Sequence, residues 1–404
     1  MVELTKTRTV RLEDVAHVNP RLSEKIDPST FVSFVGMAGL SADRAATETE
    51  DALPYGEVAK GYTAFQNGDL LLAKITPCFE NGKIGQARLS HRLGFGSTEF
   101  HVIRPRPELA ESRFLLHFLR SPKFRAAGEM RMTGSGGQRR VPVDYVKQAQ
   151  VYLPPLGEQR RIAAILDKAD ELRTKRLRAI GRLDVLAQSI FYSMFGDPAR
   201  NPHQFPKRQL VDLCAAPDDI RCGPFGTQLN KDEFRSTGVP LWGIKNVNKS
   251  FKLPTHEFLE PATAERLDSY SVLPGDIVMT RKGTVGNCSV YPENFPRGIM
   301  HSDLLRLRLD QNIANVRFIS DQLHSSRDVS HQVSLISGGA IMAGINVSKL
   351  KTIKVLAPPL ADQNEYATRV SAVDGLKDRY RVQLAQLDAL CASLQHRAFK
   401  GELR

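Results

Sequence analysis

No stretch of this 404-residue chain stays apolar for the roughly 20 residues that a membrane-spanning helix needs. Cysteine is scarce: Cys78, Cys214, Cys222, Cys288 and Cys391 are scattered without CxxC spacing, which argues against a disulfide framework and a tetrahedral zinc site. No GxxxxGK[ST] string occurs, so the glycine-rich RKGTVGN is not a Walker-type phosphate loop. The NPPY-type and DPPY-type tetrapeptides of adenine methyltransferases are missing, as is HExxH, and His101, His117 and His301 have no compelling nucleophile partner. No catalytic constellation and no metal site is expected. The first residues, MVELTKTRTVRLEDV, contain no apolar signal core, so a cytoplasmic protein without membrane association is expected. Acidic residues are also in deficit, 44 against 56 basic ones, and the net charge of +12 points to a polyanionic partner, because cations gain affinity by releasing condensed counterions.

What the chain does contain is itself, twice. LPPLGEQRRIAAILD begins at Leu153 and LAPPLADQNEYATRV at Leu356, and an offset of 204 carries Leu156 onto Leu360. The same offset lays GSGGQRRVPVDYVKQAQVYLPP, from Gly134, over GGAIMAGINVSKLKTIKVLAPP, from Gly338. It also lays STEFHVIR, from Ser97, over HSDLLRLR, from His301. Further upstream the register drifts by a few residues, matching FQNGDLLLAK with VLPGDIVMTR and VRLEDVA with RQLVDLC. Two units of one design are expected, each a globular part followed by a helix.

The helical parts read as heptads. Ile162, Leu166, Ala169, Arg173, Arg176, Ile180, Leu183, Ala187, Ile190 and Met194 form one seam. Tyr366, Val370, Val373, Lys377, Tyr380, Leu384, Leu387, Cys391, Leu394 and Ala398 form the other, with a cation at the same fourth place. Alternating steps of three and four keep one stripe facing a partner, and charged residues flank both stripes. The two helices are therefore expected to pair antiparallel inside the chain, with the globular parts at the ends of a spacer and a pseudo-two-fold internal repeat. Pro154, Pro155, Pro358 and Pro359 close each globular part before its helix, because proline disfavours helical geometry in the preceding residue. Gly196 and Gly401 are placed to end the helices. The globular parts read as mixed α/β (α+β): GDLLLAKI, FHVIRP, GDIVMTR and LLRLRL as strands, and SRFLLHFLRSPKFRAAG and ANVRFISDQLHSSRDVS as helices. The expected domains are 1–155, 156–196, 197–359 and 360–404.

The order and duplication of these motifs, with FGDPARNP after the first helix and FKGEL at the close, resemble the specificity subunit of type I restriction-modification systems. The resemblance covers essentially the whole chain. It implies two target-recognition domains that each read half of a split, non-palindromic DNA site, and two spacer helices that dock other subunits. The implied partners are double-stranded DNA, modification (methyltransferase) subunits, two in number, and restriction or translocase subunits. The implied cofactors belong to those partners, S-adenosylmethionine to the methyltransferase and ATP with Mg to the restriction subunit, and none to this chain.

For DNA contact, Gln138, Arg139 and Arg140 in TGSGGQRR offer donors that read adenine or guanine edges, and Ser135 can bind phosphate. Lys74 and Lys83 flank the loop ITPCFENGK. The matching places in the second copy are Arg281 and Lys282 in TRKGTVGN, and the loop holding Gly338 and Gly339, which carries no basic side chain. A different reading is a coiled-coil scaffold that organises other proteins and reads no DNA.

Overall fold

In the computed structural model, residues 8–48, 51–135, 137–337 and 344–403 are described. Contacts divide the chain into a first unit, Met1–Gly181 with Asp378–Arg404, and a second unit, Arg182–Lys377.

The first unit holds two four-stranded sheets. One runs Ala16–Val18, Phe100–Pro105, Leu70–Ala73, Ile84–Gln86, antiparallel throughout. The other runs Asp51–Pro54, Phe31–Val35, Leu93–Gly96, Thr63–Gln66, with one parallel pair, Phe31–Val35 beside Leu93–Gly96. A two-stranded ribbon joins Arg8–Arg11 to Gln150–Leu153. The central strand Leu70–Ala73 is buried on both faces: Leu70 and Leu72 join the core under the helices, and Leu71 and Ala73 the core between strands. Hence its sequence is an unbroken apolar run.

The second unit repeats this plan strand for strand. Its sheets run Ile220–Cys222, Leu304–Leu307, Ile277–Thr280, Cys288–Val290, and Phe258–Leu259, Val239–Trp242, Gly298–Met300, Ser271–Val272. Its parallel pair, Val239–Trp242 beside Gly298–Met300, and its ribbon, Lys207–Gln209 with Lys354–Leu356, match those of the first. The aspartate of each GD motif is buried and does the same work. Asp69 accepts two bonds from Arg104 and one from the Gln66 amide, and Asp276 accepts the same set from Arg308 and Leu273.

The long helices are Leu156–Phe195 and Leu360–Lys400, and each contributes to both units. Within the first unit they run antiparallel: Arg161 donates to the Leu403 carbonyl at 2.7 Å, Arg173 to Asp388 at 2.6 Å, and Arg176 lies over the Tyr380 ring at 4.1 Å. Within the second, Lys377 pairs with Asp184 at 2.7 Å, and the Phe191 and Tyr366 rings are 5.6 Å apart, again antiparallel. The Arg173–Asp388 and Lys377–Asp184 pairs are one contact at an offset of 204. Seam residues Ile162, Leu166, Leu183, Tyr366 and Val370 are buried, while Ile180, Ile190, Tyr380, Leu384, Leu387 and Leu394 are half-buried. Gly196 and Gly401 close the helices with φ of 70° and 79°.

Each helix start is fastened by a buried glutamine. Gln159 donates to the carbonyls of Pro154 (2.8 Å) and Leu109 (3.2 Å) and accepts from the Glu111 amide (2.8 Å). Gln363 does the same to Pro358, Ile313 and Asn315.

One expectation is corrected. Each segment read as a single helix is two: Ser112–Arg120 and Pro122–Glu129 in the first unit, Val316–Ser325 and Arg327–Ser337 in the second. Pro122 forces Ser121 into extended geometry (φ −63°, ψ 143°), and the Ser121 hydroxyl then caps the next helix by accepting from the Phe124 amide.

Acid is expected to loosen the first unit. Burial alone would raise the Asp167 carboxyl, but hydrogen bonds from His117 and Arg113 outweigh it and hold it at about 2. Burial pushes the His117 imidazole down. Both groups therefore bind fewer protons folded than unfolded. Stability present above pH ~6.5 falls first as His117 is forced to charge, then between about 4 and about 2 as Asp167 is protonated. Because the Asp167 side chain is 34% exposed, screening limits its share to about 1 kcal/mol. Thermal melts across this range should show the decline, and Asp167→Asn should remove its lower part; an unchanged profile in that variant contradicts the assignment.

Candidate nucleic-acid interface

Three segments of the first unit converge where the strand Leu70–Ala73 ends. The Lys74 amide bonds to the Glu99 carbonyl at 2.9 Å, the Val141 amide to the Lys74 carbonyl at 2.9 Å, and the Thr76 amide to the Arg139 carbonyl at 2.9 Å. The glycine-rich loop is closed at its base, where Thr133 and Arg140 exchange both backbone bonds (3.0 and 2.8 Å). Gly134, at φ 128°, makes the turn, and a Cβ there would meet the Gln138 carbonyl at 2.7 Å. The loop therefore presents Ser135, Gln138 and Arg139 outward, all exposed.

The sequence candidates fare differently. Arg139 is nearly free, with Glu80 at 3.8 Å. Arg140 is clasped by Glu99 through Nε and Nη2 at 3.0 and 2.9 Å, and that bond draws the Glu99 carboxyl below its ordinary range. Lys83 turns back to donate to the Met37 carbonyl at 3.2 Å, and Lys74 is half-buried.

The second unit builds the same junction. The Arg281 amide bonds to the Asp303 carbonyl at 2.8 Å and the Ile345 amide to the Arg281 carbonyl at 3.3 Å, so Arg281 occupies the place of Lys74. Its guanidinium is held on two sides: Nε donates to the Ile345 carbonyl at 2.9 Å, and its carbon lies 4.6 Å from the centre of the Phe225 ring. Lys282 pairs with Asp303 at 3.0 Å, and His301 lies 3.4 Å from the same carboxylate. Gly338 and Gly339 lie outside the described residues.

Sequence reasoning missed two parts of this arrangement. Glu99 and Asp303, equivalent at the 204 offset, each hold one basic side chain, Arg140 and Lys282, taken from different loops. A carboxylate recurring at equivalent places inside STEF and HSDL was the available signal. Phe225 is 45% exposed despite being fully apolar, and its only sequence sign is the flanking GPFG turn.

These groups are hydrogen-bond donors and flat surfaces rather than nucleophiles. Burial pushes the Cys214 and Cys288 thiols up to about 12, far from thiolate chemistry. Among the described residues no group of three or more His, Cys, Asp or Glu side chains could hold a metal ion, and no helix is long and apolar enough to cross a membrane.

Comparison with known proteins agrees with this duplicated plan. The specificity subunit of the EcoAI type I restriction enzyme of Escherichia coli is 35% identical over 184 residues, 44% of this chain and 31% of that one. The EcoEI specificity subunit, also from Escherichia coli, is 35% identical over 190 residues, 46% and 32%. These matches thus span about a third of the length of either relative. The putative type I restriction enzyme MjaX specificity subunit of Methanocaldococcus jannaschii is 20% identical over 359 residues, 83% of this chain and 79% of that one. Two solved structures share the fold. One comes from work on complex assembly and conformational transition of the type I R-M system (20% identity, TM-score 0.60, 98% of both chains). The other is the type I restriction-modification S subunit from M. genitalium (15% identity, TM-score 0.56, 98% of this chain and 96% of that one). Residues 5–182 and 207–386 each match the type I restriction modification DNA specificity domain, and the chain therefore belongs to that family, carrying its domain twice.

Proposed function

We propose that this chain is the sequence-reading, non-catalytic subunit of a type I restriction-modification assembly, each unit contacting one half of a bipartite, non-palindromic DNA site. The observation that carries the reading is one junction built twice with different outward chemistry. The backbone bonds around Lys74 and Arg281 are the same, and Glu99 and Asp303 anchor a cation in each. Yet the first unit displays Ser135, Gln138 and Arg139, and the second Phe225, Arg281 and Lys282. A shared scaffold with unlike side chains is what two readers of unlike half-sites require, because bases are told apart by donor patterns in the major groove. The surplus of basic residues supplies the sequence-independent attraction to phosphates.

In this reading the long helices offer the docking surface for two modification subunits, and restriction subunits complete the assembly. S-adenosylmethionine would be bound by the former and ATP with Mg by the latter. The partner methyltransferase would extrude the target base. The assembly works in the cytoplasm, where host DNA is modified.

The test is methylome sequencing of cells carrying the chain with its modification subunits, beside a salt titration of DNA binding by the purified complex. Methylation confined to a motif of two unrelated short halves around unread bases, with affinity falling steeply as salt rises, is the expected result. Salt-independent association, or one contiguous motif, contradicts the reading and favours a scaffold that reads no DNA.

A further inference from the structure

The two-stranded ribbon has a free edge in the first unit and a closed one in the second. Leu12 donates to the Ala149 carbonyl at 2.9 Å, and bonded and unbonded pairs alternate along an antiparallel ladder. Val151 and Leu153 therefore face the strand Arg8–Arg11, while Gln150 and Tyr152 turn their amides and carbonyls away from it. The second ribbon has the same phase, set by the bond from Leu210 to Ile353, so there Lys354 and Leu356 face outward. Both are answered by glutamines. Gln332 accepts from the Lys354 amide at 2.8 Å and donates to the Lys354 carbonyl at 2.9 Å. Gln322 does the same for Leu356 at 2.9 and 3.0 Å. Two side-chain amides thus imitate a third strand.

The first unit lacks both glutamines. Phe118 stands at the place of Gln322, at the 204 offset. Ala127 stands at the place of Gln332, one residue further, because the helix Val316–Ser325 is a residue longer than Ser112–Arg120. Neither side chain can hydrogen-bond, and among the described residues nothing pairs with the outward backbone groups of Gln150 and Tyr152. Beside that edge lies a groove of about 930 Å³ bordered by Phe118, Ala127, Gln150 and Tyr152. Phe124, Tyr145 and Phe399 add aromatic wall, and Lys123, Arg131 and Lys400 outnumber the one carboxylate, Asp144.

We infer that this edge and groove receive an extended, acidic segment of a partner polypeptide, added to the ribbon as a third strand. Main-chain bonds to Gln150 and Tyr152 hold the segment, and the groove takes its alternate side chains. Apolar side chains meet the aromatic walls, and acidic ones answer Lys123, Arg131 and Lys400. A second copy of this chain is a poor occupant, because pairing edge to edge sets those three cations against their own copies. The inference is independent of the DNA-reading proposal. No residue of the outward loops takes part, and the open edge exists in one unit only.

The probe is a fluorescein-labelled, acetylated nine-residue peptide alternating valine with glutamate, titrated against the full chain by fluorescence anisotropy at constant ionic strength. One saturable event is expected. Two derivatives, N-methylated on alternate amides in opposite phase, need no change to the protein: one phase should lose about tenfold or more in affinity and the other almost nothing, since an added strand uses one edge. Gln150→Pro removes an outward donor without touching the ladder, and should weaken binding to a similar degree. Ala127→Gln restores one of the second unit's glutamines, and should weaken binding while the melting temperature holds or rises. In the chain alone, the Gln150 and Tyr152 amides should exchange with deuterium at least tenfold faster than those of Lys354 and Leu356. Protection of the first pair there would show the edge already filled, by the chain itself or by a second copy, and overturns the proposal. So does the absence of saturable binding, or equal binding by the two methylated peptides.

Discussion

Replacing Gln159 with leucine is expected to destabilise the first unit by about 3 kcal/mol or more, and Gln363→Leu the second unit by a similar amount. Each glutamine is fully buried, and its amide is used at every position that matters: two donations to backbone carbonyls and one acceptance from a backbone amide. Leucine fills much the same volume, so the loss is not a cavity. Three backbone groups that water cannot reach lose their partner at once, each worth about 1–3 kcal/mol. At about 2–4 °C per kcal/mol, calorimetry should show a fall of roughly 6–12 °C in the transition of the affected unit. Glutamate in place of Gln159 makes a sharper test. It keeps the acceptor but sets a carboxylate against the Pro154 and Leu109 carbonyls, so it should be no better tolerated than leucine. A melting temperature unmoved by both changes would show that the helix start is held by packing alone.

Arg281→Ala is expected to reduce discrimination at one half of the DNA site by about 1–3 kcal/mol, roughly five- to more than hundredfold, while the other half keeps its sequence. Arg281 is the candidate reader whose geometry is most completely set before DNA arrives. Its Nε is committed to the Ile345 carbonyl, its face lies on Phe225 and its Nη1 is buried, so little of the guanidinium is left to reorient. Pre-organisation of this kind lowers the ordering cost of binding. Arg281→Lys should fail nearly as badly, because an ammonium cannot hold the carbonyl, lie flat on the ring and still present a further donor. Arg140→Ala acts by another route. Arg140 is tied to Glu99, so its removal frees a carboxylate beside Lys74 and weakens binding to every sequence alike. Competition titrations with one half-site scrambled at a time distinguish these outcomes. A uniform loss in Arg281→Ala would falsify its assignment as a base reader.

The repeat was legible because both copies must satisfy the same core. Leu12 and Leu210, Phe114 and Phe318, Leu166 and Val370 are all buried in corresponding places, so apolar residues recur at a nearly constant offset. The helix seams were legible for the same reason. Burial alternates along both long helices with the predicted steps, and the flanking charges lie outside. The break at Ser121 is hard to see because apolar residues flank it on both sides, Leu119 before and Phe124 after, although Pro122 carries the physical reason in plain sight.

The site was less legible. Arg139 and Arg140 are neighbours of like charge in the sequence. Whether either is available to a ligand depends on Glu80 and Glu99, about 40 to 60 residues away and brought near only by the sheet. Phe225 reads as an ordinary turn aromatic until Arg281 is seen against it. The glutamines that fasten the helices sat inside the quoted motifs GEQ and ADQ, yet nothing local shows that their partners lie some 50 residues upstream.

By itself the sequence determined the periodic features: two copies, two heptad helices, apolar strands and the prolines that separate them. Burial and backbone geometry act on every residue in turn and leave a period that can be counted. Only the tertiary structure decided which cations are already paired, which guanidinium is stacked and which buried glutamines fasten the helices. Those properties belong to side chains that meet across long loops, where electrostatic and hydrogen-bond energies vary over ångströms while separation along the chain carries almost no information about them.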